Sequence, residues 1–292
     1  MMKVEQLSKR IHNNEILKCI SFEIKPGNIV GIVGRNGAGK TTLLRTMVGI
    51  LDPTNGDVKI NDKSIFTNPE IKQNVIFVPD SSEALKNYST KELVKLYKTV
   101  YPRFDEAYFK ELMDRFSLPE SKKIGNYSKG MKALFTLVVA FSTKAKYIIL
   151  DEPTDGLDVI VKRRILKTLV EEVAMNDVSV IISSHRLDEL EFMANDIIMI
   201  KDGEVDSHYE LDEMKAMYKK AQVVFQDYMP DEIKEHVNVL NQTGRVYTII
   251  IENEKSGAEA AILKEKPLLF EELSMSLEDI FVAKLGGKDF VS

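Results

Sequence analysis

The sequence predicts an α/β fold built on a mostly parallel sheet, followed by a small α+β domain. Three observations carry this reading. Up to about residue 205, short runs rich in Val and Ile alternate with longer helical patterns, the pattern of a parallel sheet flanked by helices. Four of these runs, Ile29 to Val33, Val75 to Val78, Tyr147 to Leu150 and Val178 to Ile182, each end in polar or glycine-rich residues. From about Tyr218 the texture changes to isolated strand-like segments, Ala221 to Gln226 and Arg245 to Glu252, and a closing amphipathic segment, Leu277 to Leu285. The expected domains are therefore 1–217 and 218–292. In open α/β sheets ligands lie beyond the carboxyl ends of the strands, so the four polar endings are candidates for one site.

The first run leads into Gly34-Arg35-Asn36-Gly37-Ala38-Gly39-Lys40-Thr41, which matches G-x-x-x-x-G-K-[ST], and then into the helix-forming Thr42 to Met47. Glycines let backbone N–H groups turn inward around phosphates, and the start of the following helix adds its positive end. Lys40 is expected to reach the β- and γ-phosphates, the Thr41 hydroxyl to ligate Mg²⁺, and Thr42 to offer a second hydroxyl. The loop alone predicts only a nucleoside triphosphate. The second run ends in Pro79-Asp80.

Between Ser89 and Thr143 the pattern is helical, within a helical insert spanning about residues 86–145. Tyr88-Ser89-Thr90 reads as a cap, and Tyr101-Pro102 and Leu118-Pro119 read as breaks. The third run ends in Asp151, a carboxylate suited to hold Mg²⁺ through its water shell, followed by Glu152, which can polarise an attacking water if the chain turns both acids toward the nucleotide. The fourth ends in Ser183-Ser184-His185, where the imidazole suits a donor to the γ-phosphate. This set favours hydrolysis over mere binding. Asp206 to Met217 reads as charged and helical. His12, His208 and His236 have no comparable setting.

Composition narrows the partners. The 292 residues are 44% hydrophobic and 29% charged, enough for a sizeable core, and the net charge of -5 gives no overall basic field for nucleic acid. Cys19, the single cysteine, excludes an internal disulfide and reads as a small buried residue beside Ile20. Met1 to Arg10 is too polar for a signal peptide, and no run of about 20 apolar residues occurs, so a membrane role requires another chain to cross the bilayer.

With these motifs in order, residues 1 to about 210 resemble the ATP-binding subunits of ABC transporters. Tyr127-Ser128-Lys129-Gly130-Met131 stands where that family carries its signature, usually Leu-Ser-Gly-Gly-Gln, at the start of the apolar helix Met131 to Phe141. Asp151-Glu152-Pro153-Thr154-Asp155-Gly156-Leu157-Asp158 resembles the family's acidic motif and inter-subunit loop. The resemblance implies a P-loop ATPase domain with an antiparallel N-terminal β subdomain, and ATP with Mg²⁺ as ligands. It also implies a head-to-tail pair, either a homodimer or a pair with a sister ATPase. In that pair Ser128, Lys129 and Gly130 grip the γ-phosphate of the partner and Asp158 meets the opposite phosphate loop. It places the chain in the cytoplasm, peripheral to the membrane, beside a transmembrane permease subunit, with no nucleic-acid partner. A soluble ABC-type ATPase acting on ribosomes, DNA or cluster assembly is the alternative, and it fits less well because this acidic chain holds one cassette and no long coiled-coil insert.

Four departures refine the expectation. Asp80 replaces a glutamine that ligates Mg²⁺ and faces the permease. Ile11 stands where an aromatic ring usually stacks on adenine, which predicts weak preference for ATP over GTP. Met131 replaces a glutamine and Lys129 a glycine. The ending Ser276 to Leu285 resembles compact bacterial exporters, including those tied to antimicrobial or cytolytic peptides, and the small domain is read as aiding dimerisation or regulation. Lys162-Arg163-Arg164 reads as a solvated helix face or a contact for anionic lipid.

Overall fold

The structure, a computed structural model, describes residues 1–81, 83–121, 123–253 and 257–285. The described chain divides into two compact units, Met1–His185 with Met193–His208, and Arg186–Phe192 with the chain from Tyr209 onward.

In the first unit, β1 (Met2–Ile11) and β2 (Asn14–Ile24) pair antiparallel. Their sheet runs β2-β1-β4-β5, with β4 (Asn55–Ile60) and the short β5 (Lys63–Ser64). A second sheet has the order β10-β9-β3-β8-β7-β6, from β3 (Ile29–Val33), β6 (Val75–Val78), β7 (Tyr147–Asp151), β8 (Ser179–Ser183), β9 (Asp196–Lys201) and β10 (Glu204–Glu210). The neighbours β9-β3, β3-β8, β8-β7 and β7-β6 are all parallel. Every residue of β3, β7 and β8 is buried, as expected of parallel strands covered on both faces. Because β3, β8, β7 and β6 are consecutive and parallel, their carboxyl ends share one edge. All four predicted endings lie there.

The helix α1 (Lys40–Met47) follows β3. The helical insert contains α2 (Thr90–Val100), α3 (Glu106–Arg115) and α4 (Lys129–Ser142), and the first two end before the predicted proline breaks. Ser89 caps α2 in a reciprocal box with Glu92, each side chain satisfying the other's backbone N–H. Helix α5 (Val159–Asn176) joins β7 to β8, and α6 (Leu187–Met193) follows β8.

Helix α5 buries Glu172 under Tyr108, whose hydroxyl donates to the carboxylate, while Asn176 Nδ2 donates to Oε2 at 3.0 Å. Burial pushes the Glu172 pKa up, and the hydrogen bonds and Lys144 offset this only in part. The folded state thus binds the proton more tightly than the unfolded state. Stability falls as pH rises from the unfolded carboxyl pKa through the folded one, and the loss persists above it. Glu172→Gln is therefore expected to raise the melting temperature measurably at about pH 8 and little at about pH 4, read by calorimetry.

The second unit takes in most of α6, then α7 (Leu211–Ala216) and β11 (Tyr218–Val224), and continues through α8 (Asp231–Lys234), β12 (Asn238–Thr243), β13 (Val246–Glu252), α9 (Gly257–Lys264), β14 (Leu269–Leu273) and α10 (Leu277–Leu285). The antiparallel order β12-β13-β11-β14 makes β11-α8-β12-β13-α9-β14 a split βαββαβ unit of the ferredoxin-like kind. Ala221, Val223, Tyr247, Ile249 and Ile251 pack on one face with Ile233 and Ile262 of the helices. Lys220 pairs with Asp279 at 2.8 Å, tying α10 to β11.

Three expectations need correction. Asp206 to Met217 is not helical throughout, because it opens within β10 and only its second half forms α7. Cys19 is exposed rather than buried: bulges in the β1–β2 register break the in-out alternation, and Cys19 has a left-handed φ of 52°. Arg164 is not simply solvated, since its guanidinium donates to the Arg115 carbonyl at 2.6 Å and lies over the Phe116 ring.

Candidate functional site

The loop after β3 wraps around its own lysine. Lys40 is only 7% exposed, and its Nζ donates to the Gly34 carbonyl at 2.8 Å and more distantly to that of Arg35. Burial lowers the Lys40 pKa, and the carboxylates of Glu152 and Asp151 oppose that shift. A buried ammonium held by carbonyls is poised to exchange them for an anion. Gly37 and Gly39 have φ of 83° and 102°, and a side chain at Gly34 would meet the Ile200 carbonyl at 2.4 Å, so the wrap requires these glycines. Asn36 is exposed, Ala38 is buried, and Thr42, in the first turn of α1, is partly buried. The first turn of α1 holds no acidic residue and its cap, Gly39, has no side chain to satisfy the free N–H groups. Ile16 and Leu17 of β2 lie against Gly39, so the β1–β2 hairpin flanks the loop. Ile11 stands near its tip, 37% exposed.

One strand over, the Asp151 carboxylate accepts from the Thr41 hydroxyl at 3.2 Å and from the Ser183 hydroxyl at 2.7 Å. Two hard oxygen donors from Thr41 and Asp151 thus already meet, the donor type that Mg²⁺ selects. Glu152 adopts a left-handed φ of 47°, the turn that brings adjacent acids to the same edge, and its N–H donates to Ser183 Oγ at 3.1 Å. Glu152 Oε2 lies 2.6 Å from His185 Nδ1. The third and fourth strand endings are therefore joined side chain to side chain.

Ser183 was missed as a site residue. A serine closing an apolar strand reads as an ordinary boundary, and the only signal was its place one strand from Asp151. Asp80 lines a cavity of about 230 Å³ with Glu152, Pro153, Asp155 and Lys129. Ser128 caps α4, its hydroxyl accepting from Met131 N–H at 3.2 Å. The Lys129 ammonium lies beside Gly156, within the same subunit as Glu152. Gly130 has its Cα facing Val161 on α5. Asp158 caps α5, accepting from the N–H groups of Ile160 and Val161, both at 3.0 Å. Ser128, Gly130 and Asp158 thus stand at two helix starts. They lie outside the Lys40–Asp151–Glu152 cluster.

The arrangement sets a buried ammonium, free helix N–H groups, two hard oxygen donors, a carboxylate and an imidazole in one row. The family model described as ABC transporter matches residues 17–155. The ABC transporter ATP-binding protein YtrB of Bacillus subtilis (strain 168) is 38% identical over 289 residues, covering 99% of each chain. The bacitracin transport ATP-binding protein BcrA of Bacillus licheniformis is 28% identical over 305 residues, covering 98% of each. Among solved structures, an ATP-binding subunit of an ABC transporter superposes with a TM-score of 0.67 at 25% identity, covering 74% of this chain and 92% of that one. A nucleotide-free ATP-binding cassette superposes with a TM-score of 0.64 at 20% identity, covering 74% and 94%, which bears on the fold alone.

Proposed function

Because this chain belongs to the ATP-binding subunits of ABC transporters and is an ATPase, we propose that it closes head-to-tail on a second ATPase subunit around two ATP molecules and drives a separate transmembrane permease. The observation that carries this reading is the row formed by Lys40, Thr41, Asp151, Glu152 and His185 along one sheet edge. Lys40 trades the Gly34 carbonyl for the β- and γ-phosphates. Glu152 accepts a proton from the attacking water. His185, oriented by Glu152, donates to the γ-phosphate as charge builds there. Thr41 and Asp151, with Asp80 nearby, would hold Mg²⁺, which when bound neutralises phosphate charge. In the closed pair Ser128, Lys129 and Gly130 of one subunit complete the phosphate site of the other, and Asp158 meets the opposite loop.

Among the described residues no helix is long and apolar enough to cross a membrane. A peripheral position on the cytoplasmic face then depends on the permease. A groove of about 560 Å³ in the first unit is lined by Ile50, Pro69, Tyr97, Val100, Tyr101 and Pro102, with Ile50 and Val100 58% and 55% exposed. Such apolar anchors fit a partner helix. The tagged chain is expected to co-purify from membranes with a multi-span protein, and Ile50→Glu to cut the recovered partner by about 10-fold. Recovery of ribosomes or DNA instead would contradict the transport reading.

BcrA is named for bacitracin transport, and the cargo proposed here is likewise an antimicrobial or cytolytic peptide, moved outward. Ile11 offers no ring to the base, and stacking is worth about 1–3 kcal/mol. ATP and GTP are accordingly expected to be hydrolysed with kcat/KM values within about tenfold of each other, and stronger discrimination would indicate another base contact.

A further inference from the structure

The turn after β7 and the end of β8 bring one imidazole and two carboxylates together. His185 Nδ1 is 2.6 Å from Glu152 Oε2, His185 Nε2 is 3.9 Å from Asp155 Oδ1, and a donor atom of each residue lies within 4.8 Å of the other two. The proposed hydrolysis gives Asp155 no role. We propose that Glu152, Asp155 and His185 form an inhibitory site for a borderline divalent transition metal, Zn²⁺ foremost, separate from the Thr41–Asp151 position. The binding stands on this geometry alone, whereas the inhibition rests on the hydrolytic role of Glu152.

The donor set argues for the metal class. Zn²⁺ takes both imidazole nitrogen and carboxylate oxygen and in open sites leaves the fourth position to water, and imidazole suits such ions better than Mg²⁺, which prefers oxygen in octahedral geometry. Ligand distances of about 2.0–2.2 Å place tetrahedral donors about 3.4 Å apart. The imidazole gives one nitrogen to the ion, and a donor atom of each residue already lies within 4.8 Å of the other two, so small side-chain rotations bring the three to that spacing. All three side chains are reachable from solvent, between 25% and 59% exposed, and can adjust without moving the backbone.

The frame behind them is fixed. Asp155 N–H donates to the Glu152 carbonyl at 3.2 Å, so the two acids close one turn, and Ser183 holds the Glu152 N–H. Such support behind the ligands orients them for a metal. The adjoining cavity carries the carboxylates of Asp80, Glu83, Glu152 and Asp155 against the ammonium groups of Lys129 and Lys132, a balance that favours a cation. The ion would replace the proton shared by His185 Nδ1 and Glu152 Oε2, and the carboxylates of Glu152 and Asp155 would neutralise its two charges. With Glu152 and His185 both tied to the ion, Glu152 cannot take a proton from water and His185 cannot donate to the γ-phosphate.

Co²⁺, a visible reporter for such sites, tests this on the nucleotide-free full chain. One ion per chain is expected, with the absorption of tetrahedral Co²⁺, displaced by Zn²⁺. Asp155→Asn should weaken Co²⁺ affinity by at least about 10-fold, and His185→Gln should do the same in binding alone. In ATPase assays at buffered free Zn²⁺, Asp155→Asn should keep its rate in Mg²⁺ alone and need at least about 10-fold more Zn²⁺ for half-inhibition. Equal Co²⁺ affinity in the wild type and Asp155→Asn would overturn the site. Full hydrolysis with the site filled would overturn the inhibition, and with it the role of Glu152, while leaving the binding site standing.

Discussion

Glu152→Gln is expected to lower the rate of ATP hydrolysis by about 100-fold or more while leaving ATP affinity within about threefold, because general base catalysis contributes roughly 10²–10⁴-fold to rate and little to ground-state binding. The substitution is nearly isosteric. The amide oxygen can still face His185 Nδ1, 2.6 Å from Glu152 Oε2 in the native chain, and the Glu152 N–H keeps its bond to Ser183. What disappears is the carboxylate's ability to take a proton from water. A comparison of single-turnover hydrolysis with equilibrium nucleotide binding separates the two quantities. An unchanged rate would remove Glu152 from the mechanism, and a parallel loss of binding would mean that the carboxylate serves the fold.

Lys40→Ala is expected to act on binding. The native ammonium is buried and makes do with two backbone carbonyls, one of them at 3.4 Å, and burial already lowers its pKa. A triphosphate supplies an anion in direct contact where the native partners are neutral carbonyls. Losing one partner of a buried charge pair typically costs 2–5 kcal/mol, so about 3 kcal/mol, on the order of 100-fold in ATP affinity, is expected. The apoprotein should fold normally or gain slightly, since a desolvated charge is removed. Fluorescent-nucleotide titration together with thermal melting reads both quantities. Native ATP affinity in the variant would place the phosphates elsewhere.

These expectations draw on residues that the sequence already exposed, for a physical reason. Gly34 to Thr41, Asp151, Glu152 and His185 each follow an apolar run, and parallel pairing aligns run ends, so local pattern and topology agree. The cap at Ser89 was legible for the same reason, because Ser89 and Glu92 lie three residues apart and need nothing distant. Ser183 was not legible: its bond to Asp151 spans 32 residues and depends on β7 and β8 being neighbours. Cys19 failed because bulges in the β1–β2 register shift the alternation that periodicity reads. The strand β10 failed because Glu204, Asp206, Ser207 and His208 lack an apolar period, and its pairing comes from the sheet edge. In the second unit only β11 and β13 were visible singly, whereas β12 and β14, with no buried residue between them, and the order β12-β13-β11-β14 depend on long-range pairing.

The signature residues stand differently. Ser128 and Asp158 each cap the helix that follows them, which alone would account for their residue types. Their proposed second role belongs to a closed pair of subunits, where the start of α4 faces the nucleotide held by Lys40 of the partner. The mass in solution of the Glu152→Gln protein with ATP and Mg²⁺, measured by light scattering on a sizing column, tests this most directly. A species of twice the chain mass carrying two ATP molecules, which reverts to the monomer when Ser128→Arg is added, is the predicted result. A monomer that binds ATP with full affinity would contradict the shared site.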